Sequence, residues 1–246
     1  MITRSVLLDL LNTKLQPELF KDYCPNGLQV EGKASIHKIA TAVTASLQTI
    51  EQAIDEQVDA LIVHHGLFWH GQLQTVCGAH KKRLQALLEH EISLFAYHLP
   101  LDAHPQIGNN WAAAIDLNWK ELEPFQEIGV KAVLEPIALE DLIHQLQAYY
   151  GQAARVAACD RPFIHNVALI SGGAYKSLPV AAAEGIDCFI TGNADEPVWH
   201  TAKEEGIHFI SMGHSATEKV GPRHLARWLK NEIRVDTLFI EDHNPF

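Results

Sequence analysis

Asp59-Ala60-Leu61-Ile62-Val63-His64-His65-Gly66 is the stretch that decides how this chain is read. Asp59 to Val63 has the apolar run of a buried strand, and two adjacent imidazoles follow it into a glycine turn. Strands and helices alternate around it. Lys38 to Val43 reads as a strand, Ser46 caps a helix over Leu47 to Glu56, a helix fits Lys81 to Glu91, and Ile92 to Tyr97 is a third strand. Upstream, Val6 to Leu11 has helical spacing with Thr3 or Ser5 as its cap. Tyr23 to Gly32 reads as a loop in which Pro25-Asn26-Gly27 puts Gly27 at positive φ. Downstream, Asn109 or Asn110 caps a short helix through Ile115. Strands separated by helices imply βαβ units and a largely parallel sheet.

The same order of elements then starts again. Glu127 to Leu134 reads as a strand, Leu139, Leu142, Ile143 and Leu146 form a helical stripe, and Arg155 to Ala158 holds a short strand. Strands over Asn166 to Ile170, Asp187 to Thr191 and Ile207 to Met212 alternate with helices over Tyr175 to Glu184, Glu196 to Glu205 and Ala216 to Lys230, and Val235 to Ile240 is a last strand. A shift of 128 positions places Ile36-His37 on Ile164-His165, Ala40 on Ala168, and Glu56, Asp59 and Ile62 on Glu184, Asp187 and Ile190 without a gap. After a deletion of about a dozen residues, Ile92 to His98 pairs with Ile207 to Gly213. The repeat predicts an α/β fold built from a duplicated pair of similar halves with largely parallel or mixed sheets and a metal site between them. The first half is expected to span 1–126 and the second 127–246, with the last strand packing back on the first half.

The composition narrows the function. The formal net charge of −11 argues against a duplex nucleic acid held through its phosphates. The four cysteines are widely spaced with no Cys-x-x-Cys, which suits reduced thiols in the cytoplasm. No apolar run approaches the roughly 18 residues of a membrane span, and the amphipathic pattern after Met1 does not read as a signal peptide. Phosphate-loop, dinucleotide and Gly-x-Ser-x-Gly motifs are absent.

What remains is a set of metal-capable residues at strand ends, where open parallel sheets place their ligands. These are His64, His65 and Asp102 in the first half and His214 and Glu218 in the second. Neighbouring residues on an extended chain point opposite ways, so His64 and His65 suit one ion each. A carboxylate can bridge two cations. The economical arrangement puts His65 and Asp102 on one ion, His64 and His214 on the other, and Glu218 between them. Such a mixed nitrogen and oxygen set suits Fe, Mn, Co, Ni or Zn. Structural readings compete: Ser215 and Glu218 fit a capping box, and Asp102 fits a turn or cap. Asp195 and Glu196 are candidates for the metal surroundings, although Asp195 also fits an N-cap before Pro197. His98 either moves a proton or hydrogen-bonds across its loop. His70, His80 and His104 read as surface or supporting residues.

Pro25-Asn26-Gly27-Leu28-Gln29-Val30, His64-His65-Gly66, His98 to Asp102 and Gly213-His214-Ser215-Ala216-Thr217-Glu218 together resemble the signature segments of the Nif-three-like family, in its compact form. The resemblance covers nearly the whole chain. It implies a dinuclear metal site on His64, His65, Asp102, His214 and Glu218, with Glu218 bridging, and a toroidal homohexamer whose sites face an internal cavity. Relatives often place a carboxylate directly after Thr191-Gly192, where this chain has Asn193. Bacterial members carry the name GTP cyclohydrolase I type 2 homologue. The ligand set with open coordination makes the first reading a metal-dependent hydrolase of a small substrate such as a nucleotide or purine ring, acting on cyclic amidine C–N bonds, with His98 supplying or removing a proton. A metal-handling or cofactor-assembly protein and a non-enzymatic scaffold are the alternatives.

Overall fold

Period-two alternation along three parallel strands organises the first half. In the computed structural model, residues 1–72 and 75–246 are described. The elements run β1 (Ile2–Thr3), α1 (Arg4–Leu15), β2 (Gly27–Val30), β3 (Ser35–Ile36), β4 (Lys38–Thr44), α2 (Leu47–Asp55), β5 (Ala60–His65), α3 (Gly78–Glu89), β6 (Ser93–Ala96) and α4 (Leu99–Ala103). Ala40, Ala42, Leu61, Val63, Leu94 and Ala96 face α2 and α3, where Ile50, Ala53 and Leu87 meet them. Ile39, Ala60, Ile62 and Phe95 face the other way, onto Leu7 and Leu11 of α1 and Leu225 and Leu229 further along the chain. With both faces covered, these strands read as continuous apolar runs.

The second half follows with α5 (Asn109–Asp116), β7 (Lys120–Phe125), β8 (Gly129–Ile137), α6 (Leu139–Tyr150), β9 (Arg155–Ala157), β10 (Ile164–Ile170), α7 (Leu178–Ala183), β11 (Cys188–Thr191), α8 (Pro197–Glu204), β12 (His208–Ser211) and α9 (His214–Glu218). The chain ends with α10 (Val220–Ile233) and β13 (Asp236–Phe239). The sheets run β13-β4-β5-β6-β2 and β7-β8-β10-β11-β12-β9, with parallel centres and antiparallel edges, except that β13 pairs parallel with β4. Leu169, Cys188, Ile190 and Ile210 pack on α5 and α6, while Ala168, Phe189 and Phe209 pack on α7 and α8. The chain forms two compact units, one of Met1–Ile107 with Gly221–His243, the other of Gly108–Val220 with Asn244–Phe246.

The repeat extends to register. Ile39 pairs with Ala60 and Ala42 with Val63; Val167 pairs with Cys188 and Ile170 with Thr191, each 128 positions on. The helices α4 and α9, each of five residues, follow the matching strands β6 and β12.

Several local expectations are corrected. The Tyr23–Gly32 loop contains a strand, β2, antiparallel to β6, although Gly27 has the expected positive φ of 101°. Strand β5 does not stop at Val63. His65 pairs with Thr44 and its carbonyl accepts the Ala45 N–H at 2.9 Å, so both histidines belong to the strand. A further strand, β7, forms from a charged, largely exposed sequence that carries no strand pattern. The helix expected over Tyr175 to Glu184 splits into a 3₁₀ turn at Tyr175–Ser177 and α7. Helix α5 is capped by Gly108; Asn110 instead donates to Ile128 O at 3.0 Å and accepts from Ser171 N at 2.6 Å. The capping box at Ser215 does not form, because α9 begins two residues earlier, at His214 after Gly213, and Ser215 lies inside it. None of the described helices is long and apolar enough to cross a membrane.

Candidate metal centre

Parity along β5 places His64 on the same face as Ala60 and Ile62, where it is fully buried; His65, on the opposite parity, is half-buried. The two rings lie 4.6 Å apart between centroids. His64 Nδ1 is 3.3 Å from the Tyr97 carbonyl. A carbonyl can only accept, so Nδ1 carries the proton and Nε2 keeps its lone pair. That nitrogen is 3.7 Å from Asp102 Oδ2. The separation is beyond hydrogen-bond range. It is close to the roughly 3.4 Å between two ligands of one tetrahedral ion with bonds of about 2.1 Å. A buried imidazole fixed by a backbone carbonyl and facing a buried carboxylate is the usual support for a metal ligand.

Asp102, buried on α4, faces His64. His65 Nδ1 meets Thr44 Oγ1 of the neighbouring strand at 3.1 Å. His98 stands at the start of α4, with its ring 4.8 Å from that of His64 and 5.7 Å from that of His65. One ring nitrogen from each of these three histidines falls within 4.8 Å of the others, an arrangement able to hold a cation. Trp69 closes the group edge-on to His98 at 5.1 Å.

Asp22 joins the site without any mark in the local sequence. Its Oδ1 accepts from His98 Nδ1 at 2.7 Å, and its Oδ2 accepts from Asn26 Nδ2 and Leu99 N, both at 2.9 Å. Burial pushes this carboxyl up, but the hydrogen bonds from His98 and Asn26, attraction to His98 and the Leu99 N–H outweigh it and bring it down to about 2. Asn26 lies four positions away, but the partners that tie Asp22 to the site, His98 and Leu99, are 76 and 77 positions away.

The second unit presents His214 and Glu218 from α9, one helical turn apart. His214 Nε2 is 3.0 Å from Glu218 Oε1, and Glu218 is buried. Asn193 Nδ2 donates to His214 Nδ1 at 3.1 Å, so Asn193 touches this imidazole directly. Gly172, at φ 66°, makes room for the pair: a Cβ there would come within 2.3 Å of Glu218 Oε1 and 3.2 Å of His214 Nε2. The Gly172-Gly173 dipeptide after β10 therefore has a purpose that sequence alone leaves open. Gly192, the counterpart of His64, admits no side chain, since a Cβ would lie 2.7 Å from both Gly172 O and His214 Cα. Asp195 accepts from Tyr175 Oη at 3.1 Å, and Glu196 rather than Asp195 occupies the α8 N-cap.

Residues 2–245 match the family Duf34/NIF3 (NGG1p interacting factor 3). The chain belongs to the Duf34/NIF3 family. A Chlamydia pneumoniae relative, named GTP cyclohydrolase 1 type 2 homolog, is 50% identical over 246 residues, covering 98% of each chain. Among Duf34/NIF3-like structures, protein ybgI, described as of unknown function, superposes with a TM-score of 0.96 at 38% identity, over 100% of both chains. A Thermus thermophilus protein does so with a TM-score of 0.94 at 34% identity, again over 100% of both.

Proposed function

We propose that this Duf34/NIF3 protein holds two divalent metal ions through His64, His65, Asp102, His214 and Glu218, with His64 and Asp102 on the same ion, and acts as a hydrolase on a small nucleotide or purine-type substrate. The observation that carries the reading is the buried His64–Asp102 pair, whose separation of 3.7 Å suits two ligands of one ion and whose imidazole is turned by the Tyr97 carbonyl. The space that Gly172 leaves around Glu218 and His214 supports these two as ligands. Imidazole and carboxylate donors fit Fe, Mn, Co, Ni or Zn. When bound, such ions supply Lewis acidity and activate water at neutral pH. His98, hydrogen-bonded through Nδ1 to Asp22, is the group suited to accept or return a proton at Nε2. Trp69 shields that ring on one side. The name shared by the curated relatives supports a purine nucleotide as the first substrate class to test.

The test is metal analysis of the purified protein followed by a turnover panel of nucleotides and cyclic amides, with sedimentation to test the homohexamer. Two ions per chain and opening of a purine-type ring support the reading. Two ions with release to an acceptor and no turnover would favour metal handling. In Glu218→Gln both ions should be lost together; full retention would remove Glu218 from the bridging position.

A further inference from the structure

Asp22 belongs to none of the proposed ligands, yet its carboxylate is crowded with donors. Oδ1 accepts from Tyr23 N at 2.6 Å and His98 Nδ1 at 2.7 Å; Oδ2 accepts from Asn26 Nδ2 and Leu99 N. His98, the N-cap residue of α4, makes no side-chain cap of its own. Asp22 supplies that cap from another segment, at the first N–H of the helix that carries Asp102. Asn26 secures the same residue from the other side, its Oδ1 accepting His98 N at 2.8 Å. The Pro25-Asn26-Gly27 turn thus has a role beyond the strand it opens.

We infer that Asp22 is the positioning residue of His98: one carboxylate oxygen holds the imidazole with its proton on Nδ1, and the other starts helix α4. An ionised carboxylate only accepts hydrogen bonds, so His98 Nδ1 must donate and Nε2 keeps its lone pair. The ring is clamped at its Nδ1 edge and by its own backbone N–H, so its nitrogen can be aimed without a metal ligand to steer it. The same carboxylate sets where α4 begins and hence where Asp102 stands. The chemical duty of His98 rests on the hydrolase reading above; the tautomer and the helix cap do not.

The experiment is a long-range ¹H–¹⁵N spectrum of the histidine rings in the full chain, wild type against Asp22→Asn, with His98 assigned by its loss in His98→Gln. Wild type should show His98 protonated on Nδ1. In Asp22→Asn the new amide presents N–H donors to the ring or to Leu99 N, and the His98 proton should move to Nε2 or distribute between the nitrogens. If turnover is found, kcat should fall at least tenfold with KM within about twofold, and Asp22→Glu should restore part of it. A wild-type ring protonated on Nε2 alone overturns the inference, even if the variant fails to fold. So does a tautomer left untouched both by Asp22→Asn and by Asp22→Leu, which offers the ring no acceptor. Absence of turnover in wild type counts against the hydrolase reading and leaves the spectral result standing.

Discussion

Asp59 and Asp187 make the same hydrogen bonds 128 positions apart. Asp59 Oδ2 accepts from His37 N at 2.8 Å and Lys38 N at 3.3 Å, and its Oδ1 pairs with Lys33 Nζ at 2.9 Å. Asp187 Oδ2 accepts from His165 N at 2.7 Å and Asn166 N at 3.3 Å, and its Oδ1 pairs with Arg161 at 2.8 Å. Each carboxylate ties the start of one parallel strand to the start of the next. In each unit, then, one buried side chain helps to set the strand register at the end opposite the candidate ligands.

Loss of either carboxylate should therefore destabilise its unit. Asp59→Ala and Asp187→Ala leave backbone N–H donors at a strand start without their acceptor, at a cost of about 1–3 kcal/mol each in urea unfolding at pH 7. Asp59→Asn, which keeps one acceptor oxygen, should cost less.

Asp59 also predicts a pH dependence. Burial raises its carboxyl, but the His37 N–H, the Lys33 ammonium and the Lys38 N–H together hold it below the ordinary value. The folded value thus lies under the unfolded one of about 3.9. The stabilisation is complete above that unfolded value and is lost as pH falls through the folded one. Unfolding midpoints measured from pH 6 downward should show a shallower acid decline in Asp59→Asn than in wild type.

The repeated Ile-His, Glu and Asp positions make the duplication legible, because they lie around strand starts where the same backbone groups need the same partners. The candidate site is legible for a related reason: metal-capable side chains stand at the ends of apolar strands. What stays hidden depends on distance in sequence. Asp22 looks like an ordinary loop acid until Leu99, 77 positions on, comes beside it. Strand β2 is four residues long and begins inside a Pro-Asn-Gly turn, so turn chemistry outweighs its pairing with β6. Strand β7 carries Lys120, Glu121, Glu123 and Pro124 at a sheet edge, where charge and proline guard against further pairing and erase the apolar pattern.

Thiol reactivity should follow burial. Burial, and then the charge of Asp22, push the Cys24 thiol up to about 12, and burial raises Cys188 as well. Cys77 is exposed. Brief iodoacetamide treatment of native protein at about pH 8, read by peptide mass spectrometry, should label Cys77 and spare Cys24 and Cys188 until the chain is unfolded.

Gly172→Ala tests the space around Glu218. The new Cβ would occupy a left-handed backbone position 2.3 Å from a carboxylate oxygen, so Glu218 must move. The fold should lose more than about 1 kcal/mol, and metal binding should fall further than that loss explains. Gly151→Ala, also at positive φ but with open space around its Cβ, is the control for backbone strain alone. Equal metal affinity in the two variants would show that Glu218 does not depend on that space.

Asn193 gives the most discriminating prediction for the second unit. Its amide nitrogen donates to His214 Nδ1, which places the imidazole proton on Nε2, the nitrogen facing Glu218. For Nε2 to bind a cation the proton must move to Nδ1, and the Asn193 amide must turn so that its oxygen accepts. An aspartate at this position can only accept, so Asn193→Asp should fix the metal-binding tautomer in advance. Asn193→Leu offers His214 Nδ1 no hydrogen bond from this position. Partners of this kind alter metal affinity by about 10–100-fold when changed. Competition titration against a chromophoric chelator should therefore find Asn193→Asp tighter than wild type and Asn193→Leu weaker by about that factor. The same order should appear with zinc and with manganese, because the effect lies in the imidazole and not in the ion. If Asn193→Leu binds as tightly as wild type, His214 Nε2 is not a ligand, and the contact between Asn193 and His214 is structural.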